Sequence, residues 1–350
     1  MADLTTNGMK LAGKAGYAIS VGALGGVCLL GARYAARVCI ARSKLQALIA
    51  DAAGAEARIV ITGATSGIGE ELARQFLRHP DTYLLLGCRD LRKAERLFRR
   101  AISSSRAKIV PLELMDFDSV QAFSDECYDF LNEGEDGLRL LFNNAGVMKP
   151  LEAKKGKLDA TWQSNFVSPF LMTELLAQRR STAGIKKPLR VMNVSSRLER
   201  RSQLDEQMLQ DASRGQAGAT AYSDAKRAMM LWTSVRAQSM CFAGSMYVHT
   251  ATPGMVDTQL GRNSVSPWLW PLTKPLRMVL LRPAAEGAFG VAAAALSAQA
   301  TQNYGRYFDG HKELEDLVME RMGEKQFALK VVTWAKVTSA LDARFAGYDK

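Results

Sequence analysis

Short apolar runs alternate with amphipathic stretches from about residue 58 onward. Ile59 to Ile61 form an apolar run of strand length, and apolar residues then recur at helical spacing at Leu72, Phe76 and Leu77. The stretches "TYLLLGC", "KIVPLEL" and "GLRLLFNNAG" are further strand-like runs. This alternation predicts an α/β fold, a single domain in which a doubly wound parallel sheet is covered by helices on both faces.

A glycine-rich turn follows the first predicted strand, with Gly63, Gly67 and Gly69 in "ITGATSGIGEEL". Glycine lets the backbone approach a ligand closely, and a helix N-terminus offers free N–H groups to a phosphate. Strand, glycine turn and helix in this order predict a Rossmann-like dinucleotide site. The third and fourth strands are expected to end at the same edge, at Glu113–Leu114 and at the small-residue turn Asn143–Gly146.

The end of the second strand indicates which dinucleotide is bound. An acid at this place holds the 2′-hydroxyl of NAD, whereas an arginine accommodates the 2′-phosphate of NADP. Arg89 follows the "GC" turn, with Lys93 one turn later, and the planar guanidinium suits a phosphate. Asp90 is adjacent, but an acid preceded by an arginine is the weaker candidate for the ribose. We predict NADP(H) as the cofactor.

The stretch "YSDAK" holds a tyrosine one helical turn before a lysine. Residues at this spacing share a helix face, so Tyr222 and Lys226 would lie side by side. A neighbouring ammonium is expected to lower the pKa of the phenol and to make it an acid or base near neutral pH. The alternative is a half-buried tyrosine with a lysine stem packed across it.

An uncharged run extends from Ala15 to Ala32, long enough as a helix to cross most of a bilayer. The greater positive charge follows the run, which would leave the large domain on the cytosolic side. We predict a hydrophobic anchor or targeting segment over residues 1–50 and the catalytic domain over residues 51–350. The alternatives to an anchor are a cleaved organelle-targeting peptide and a soluble helix.

The composition limits the classes of partner and cofactor that the chain is expected to bind. The chain has 350 residues, 47% hydrophobic and 23% charged, with a net charge of +11. The basic residues are scattered and lack the interleaved aromatic residues of a nucleic-acid surface, so we predict no nucleic-acid partner. Five dispersed cysteines without a C-x-x-C pair and only three histidines argue against a disulfide framework and a metal site.

Five motifs appear in a fixed order along the chain: Thr62–Gly69, Asn143–Gly146, Ser195–Ser196, Tyr222–Lys226 and Pro253–Thr258. In this order they resemble the short-chain dehydrogenase/reductase family over about residues 58–310. The resemblance implies an enzyme that transfers hydride between a nicotinamide cofactor and a carbonyl or alcohol.

The resemblance also implies a role for each motif residue. Tyr222 would be the general acid/base, Lys226 would lower its pKa and hold the nicotinamide ribose, and Ser196 would bind the substrate carbonyl. Asn165 would continue the proton relay through a water. For Asn143–Asn144, stabilising backbone turns is the stronger expectation. The implied cofactor contacts are Gly63, Thr65, Ser66, Gly67, Ile68, Gly69, Arg89, Lys93, Glu113, Asn144, Gly146, Tyr222, Lys226, Pro253, Val256 and Thr258.

The polar, loop-like insert at residues 197–220 and the N-terminal run resemble the retinol dehydrogenase-like subgroup. That subgroup implies a hydrophobic substrate of retinoid, steroid, long-chain aldehyde or polyprenoid type, and a role in lipid metabolism. A protochlorophyllide reductase-like enzyme is a minor alternative. In this family the region at about residues 259–285 forms a lid, which here carries Trp268 and Trp270 near basic residues. The lid would face a membrane interface or line the site of an apolar ligand, or it would pack as core.

We therefore predict an NADP(H)-dependent oxidoreductase on an endoplasmic reticulum or other organelle membrane, with its catalytic domain facing the cytosol. Targeting to a mitochondrion or plastid is the alternative location. The alternative function is a non-catalytic nucleotide-binding scaffold or redox sensor on the same fold. Members of the family often pair through the helices that flank the catalytic tyrosine, so a homodimer is expected by analogy.

Overall fold

The computed structural model describes residues 29–52, 56–134, 136–148, 158–215, 220–238, 246–258, 273–297, 305–310, 312–313 and 325–346. Two predicted features fall largely outside these ranges. Residues 15–28 of the uncharged run and residues 259–272 of the predicted lid are not among the described residues. Within the described residues, no helix is both long and apolar enough to span a bilayer.

Among the described residues, eight strands form one sheet in the order β3-β2-β1-β4-β5-β6-β7-β8. Their bounds are β1 Ala57–Thr62, β2 Thr82–Cys88, β3 Ala107–Pro111, β4 Leu138–Asn143, β5 Leu189–Val194, β6 Met246–Thr252, β7 Tyr307–Asp309 and β8 Lys312–Glu313. The first seven strands are parallel and β8 is antiparallel to β7. The predicted doubly wound parallel sheet is confirmed, and its strand order reverses between β1 and β4, where such sheets bind ligands.

Helices cover both faces of the sheet, as predicted. Their bounds are α1 at residues 29–52, α2 Gly67–Phe76, α3 Leu91–Ser103, α4 Phe117–Asn132, α5 Ala160–Trp162, α6 Ser168–Thr182, α7 Glu206–Ser213, α8 Ala221–Gln238, α9 Lys274–Leu280, α10 Ala284–Leu296, α11 Lys325–Ser339 and α12 Leu341–Phe345. One core cluster lies under α4, α6, α8 and α11, and the other lies under α1, α2, α3 and α10. Along β1, Val60 belongs to the first cluster and Ile59 and Ile61 to the second, as strand alternation requires.

The helix α1 is part of the domain rather than a spacer in front of it. Its residues Leu45 and Ile49 are buried in the same core cluster as α2. Two bidentate ion pairs also hold α1 in place. Arg42 binds Glu71 of α2 at 2.6 and 2.7 Å, and Arg37 binds Glu286 of α10 at 2.7 and 2.8 Å. The packed unit therefore begins within the segment predicted as an anchor.

Two other predictions need correction. The insert at residues 197–220 is not simply loop-like, because it contains a 3-10 helix, Arg197–Arg201, and α7. The strand β3 ends at Pro111 rather than at Glu113–Leu114. A turn begins at Glu113, whose backbone oxygen accepts from Asp116 N at 3.0 Å and whose carboxylate accepts from Met115 N at 3.0 Å.

Candidate active site

The glycine turn after β1 packs directly against the turn after β4. Gly63 has φ +69°, and a Cβ added there would lie 2.9 Å from Ala145 Cα. Thr62 joins the two turns, since its Oγ1 accepts from the backbone N of Asn144 and of Ala145, each at 3.0 Å. Gly63 is therefore required both for its left-handed backbone and for this close approach.

Asn144 supports the same turn from the other side. Its Nδ2 donates to Thr62 O at 2.9 Å, and a Cβ added to Gly69 would lie 2.4 Å from this Nδ2 and 2.5 Å from Gly63 O. The side chain of Asn144 thus stabilises the glycine turn, which is the stronger of the two expectations for this residue. Its contact with a cofactor stays a prediction.

The N-terminus of α2 is arranged to receive an anion. Thr65, Ser66 and Gly67 are partly exposed at the start of the helix, and Ile68 is buried behind them. Among the described residues, the side chain of Ser66 caps none of the first N–H groups of α2. Free N–H groups and the positive end of the helix dipole at one place fit a dinucleotide pyrophosphate.

The end of β2 presents basic side chains beside this site. Arg89 is exposed and Lys93 is partly exposed, whereas Asp90 is the N-cap of α3 and accepts from Lys93 N at 2.9 Å. A carboxylate that caps a helix is committed to that helix terminus. This arrangement agrees with the prediction that Asp90 is the weaker candidate for a contact with the ribose.

The remaining predicted cofactor residues surround the same edge. Glu113 lies in the turn after β3, and Pro253 is buried directly after β6. Val256 forms an isolated bridge with Arg282, and the methyl of Thr258 would meet a Cβ on Gly67 at 3.1 Å. The turns after β1, β2, β3, β4 and β6 therefore converge at the edge where a dinucleotide site is predicted.

Tyr222 stands at the start of α8 and faces Ser196 at the end of β5. Their side chains are hydrogen-bonded. Ser196 is also the N-cap of the 3-10 helix, where its Oγ accepts from Leu198 N at 3.3 Å. Burial raises the pKa of Tyr222 to about 12, and the hydrogen bond with Ser196 lowers it only in part.

Lys226 is buried one turn after Tyr222, and its Nζ donates to Val194 O at 2.7 Å. Its Nζ lies 5.9 Å from the centre of the Tyr222 ring. Burial lowers the pKa of Lys226 to about 8. The prediction that the lysine lowers the pKa of Tyr222 is therefore wrong for this structure, because desolvation disfavours the charged form of each group.

Asn165 completes the cluster from an irregular helical turn. It lies in a π-helical segment, Gln163–Val167, inserted between α5 and α6. Its Oδ1 accepts from Val147 N at 2.9 Å and its Nδ2 donates to Val147 O at 2.7 Å. A Cβ added to Gly146 would lie 2.5 Å from Asn165 Oδ1 and 3.8 Å from Lys226 Nζ. The four predicted catalytic residues thus meet at one edge of the sheet.

Sequence reasoning missed a buried polar chain that holds α8 against the sheet. Asn143 Nδ2 donates to Asn193 Oδ1 at 2.8 Å, and Asn193 Nδ2 donates to Thr233 Oγ1 at 3.2 Å. The hydroxyls of Thr233 and Thr250 are 2.9 Å apart. Because Thr233 belongs to the same helix as Tyr222, this chain fixes the catalytic helix across β4, β5 and β6. Polar residues inside apolar strand runs were the available signal.

The sequence of the domain also matches a known family. The family model described as short chain dehydrogenase matches residues 57–267, more than half of the chain. The chain belongs to the short-chain dehydrogenase family. The predicted family is therefore confirmed, and this short-chain dehydrogenase belongs to a family of oxidoreductases.

Curated relatives of this short-chain dehydrogenase include retinol dehydrogenases. Mouse retinol dehydrogenase 12 is 31% identical over 261 residues, which cover 73% of this chain and 78% of the relative. Dehydrogenase/reductase SDR family member 13 from Bos taurus is 32% identical over 253 residues, 71% of this chain. That match spans 64% of the cattle protein, less than two thirds of its length.

Solved structures share the fold. A protein from Mycobacterium Paratuberculosis superposes with a TM-score of 0.59 at 23% identity and covers 83% of this chain and 95% of its own. The NADPH-bound carbonyl reductase from chicken fatty liver superposes with a TM-score of 0.53 at 20% identity, over 74% of this chain and 98% of its own. At these identities the similarity shows the architecture alone.

Proposed function

We propose that this short-chain dehydrogenase interconverts a hydrophobic carbonyl and its alcohol with NADP(H), and that Tyr222 moves the proton. The observation that carries the proposal is the cluster itself. The partly buried phenol of Tyr222 is hydrogen-bonded to Ser196, one turn before the buried Lys226, at the edge where the glycine turn opens. A pure nucleotide binder has no need of this proton-handling set.

When bound, NADPH supplies a hydride to the carbonyl carbon. The chain supplies the rest: Ser196 donates a hydrogen bond to the carbonyl oxygen, and Tyr222 delivers a proton to it as negative charge develops. A phenol whose pKa is raised to about 12 stays protonated at neutral pH and can act as the acid of a reduction. Lys226 and Asn165 would return the proton to Tyr222.

NADP(H) rather than NAD(H) is proposed from the end of β2. Arg89 is exposed there and able to turn toward a 2′-phosphate, while Asp90 is engaged at the N-terminus of α3. The carbonyl reductase from chicken fatty liver, which shares the fold, holds NADPH in its crystal structure. Retinol dehydrogenases among the relatives support an apolar substrate for this chain.

Membrane association is proposed from the described part of the lid together with the uncharged N-terminal run. Every residue of α9 is at least partly exposed, with Leu276, Val279 and Leu280 more than half exposed. This observation disfavours the core-packing alternative for α9. Tyr34 of α1 is close enough to Arg277 of α9 to interact electrostatically, so the start of α1, which follows the uncharged run, lies near α9.

Vesicle flotation tests this association. The full chain should float with anionic phosphatidylserine-containing vesicles, and Leu276→Asp with Val279→Asp should weaken flotation. Val337→Asp is the matched control, because Val337 is 77% exposed on α11, over the other face of the sheet. Equal flotation of all variants would show that α9 does not contact the membrane.

The enzyme proposal is tested by NADPH consumption with retinal, a long-chain aldehyde, a steroid ketone and a small polar ketone. Tyr222→Phe should abolish turnover of the apolar carbonyls and leave NADPH binding intact. Tyr83→Phe, a partly buried tyrosine near the amino end of β2, is the matched control and should retain activity. Turnover that survives in Tyr222→Phe would refute the mechanism. Tight NADPH binding without any turnover would favour the scaffold or redox-sensor alternative.

A further inference from the structure

The C-terminal helix α11 reaches the irregular turn that carries Asn165. The indole of Trp334 meets Trp162 edge to face, with ring centres 5.3 Å apart. It also lies parallel to the ring of Phe166, at 6.5 Å between centres and an angle of 8°. Trp162 and Phe166 stand on either side of Asn165 in the chain, and both are fully buried.

Trp334 is itself held in place from two sides. Its Nε1 donates to Ser213 Oγ of α7 at 2.8 Å. The helix α11 buries Val331 and Ala335 completely in the core cluster under α6 and α8. The hydrogen bond and the buried face of α11 together place the indole behind the turn.

We expect the π-helical turn to need support from the side chains packed against it. A π-helical segment follows an i→i+5 hydrogen-bond pattern instead of i→i+4, and it occurs mostly as a single turn inside an α-helix, frequently at functional sites. Here the segment Gln163–Val167 aims Asn165 at both backbone polar groups of Val147. The clearance is small, because a Cβ on Gly146 would already lie 2.5 Å from Asn165 Oδ1. A small rotation of the turn would misplace the carboxamide.

We propose that Trp334 is a positioning residue, which holds the π-helical turn through Trp162 and Phe166 and so fixes the carboxamide of Asn165 for proton transfer. The inference rests on the proposed function in one respect, namely that Asn165 belongs to the proton relay. It extends that function to a helix more than 150 positions later in the sequence. Trp334 touches none of the reacting groups.

The kinetic test is a double-mutant cycle between Trp334→Ala and Asn165→Ala. Trp334→Ala should lower kcat roughly ten- to hundred-fold, as expected for a misplaced catalytic group, with KM for NADPH changed less than about two-fold. Trp334→Phe, which keeps an aromatic ring, should restore most of kcat. In the Asn165→Ala background, Trp334→Ala should cause no further loss of kcat. An equal loss of kcat in both backgrounds would overturn the proposal.

A second measurement does not depend on turnover. Hydrogen–deuterium exchange should be faster at Val147 N in Trp334→Ala than in wild type, because that N–H donates to Asn165 Oδ1, while the glycine turn at residues 63–69 keeps its protection. Val337→Ala, an exposed position on the same helix, is the matched control and should exchange like wild type. Unchanged protection at Val147 would overturn the positioning role. A wild type that reduces none of the carbonyls but shows the exchange difference would instead refute the proposed function alone.

Discussion

Replacing Lys226 by methionine removes a buried ammonium and leaves a side chain of similar length. Burial lowers the pKa of this lysine from 10.5 to about 8. The unfolded chain therefore holds more protons than the folded chain between these two values, and the free energy of unfolding rises as the pH rises through that window. Below pH 8 the charged form costs the fold roughly 3 kcal/mol, at 1.36 kcal/mol for each pKa unit.

The prediction concerns the difference between wild type and Lys226→Met. Between pH 7 and pH 9.5, wild type should gain about 2 kcal/mol in the free energy of unfolding relative to the variant. Groups present in both proteins cancel in this comparison. The pKa of Tyr222, raised from 10.0 to about 12, affects stability mainly above that range. There the free energy of unfolding falls as the pH rises, because the folded chain holds more protons than the unfolded chain.

Urea unfolding at several pH values, without added cofactor, measures this difference. Lys44→Met is the matched control, because Lys44 is exposed on α1, and its curve should run parallel to that of wild type. Parallel pH curves for wild type and Lys226→Met would refute the reasoning. That result would mean that the ammonium of Lys226 keeps its solvation inside the fold.

Three further predictions concern the cofactor edge and α1. Arg89→Gln should weaken NADPH binding about ten- to hundred-fold and leave NADH binding unchanged, measured by fluorescence titration; equal loss for both would contradict the phosphate role. Gly69→Ala should destabilise the fold by more than about 2 kcal/mol because of its close contacts, whereas Gly31→Ala, with open space around it, should not; thermal unfolding separates them. Arg42→Met should cost about 1–3 kcal/mol by leaving the buried carboxylate of Glu71 without its main partner; a change below about 0.5 kcal/mol would count against α1 docking.

The parts of the site that sequence could predict are those set by local geometry. The spacing of Tyr222 and Lys226 fixes them on one helix face, and Gly63 and Gly69 follow from what a turn between strand and helix requires. The alternation of apolar runs defined the parallel sheet. Each of these inferences needs only residues that are close in sequence.

The parts that sequence could not predict depend on contacts between distant segments. The pKa of Tyr222 is set by burial, which the "YSDAK" stretch does not encode, so its direction was wrongly predicted. Arg37 pairs with Glu286, which lies almost a whole domain later in the chain. Hydrophobicity alone suggested an anchor there and gave no sign that the helix also belongs to the domain.

The position of α11 and α12 has a consequence for assembly. These helices lie across α6 and α8, the flanking helices through which members of the family often pair. The segment that forms α11 and α12 belongs to the same chain as α6 and α8. Its effective concentration at the surface of α6 and α8 therefore does not fall on dilution, as that of a second copy would. We therefore expect the specific activity of the chain to be independent of protein concentration.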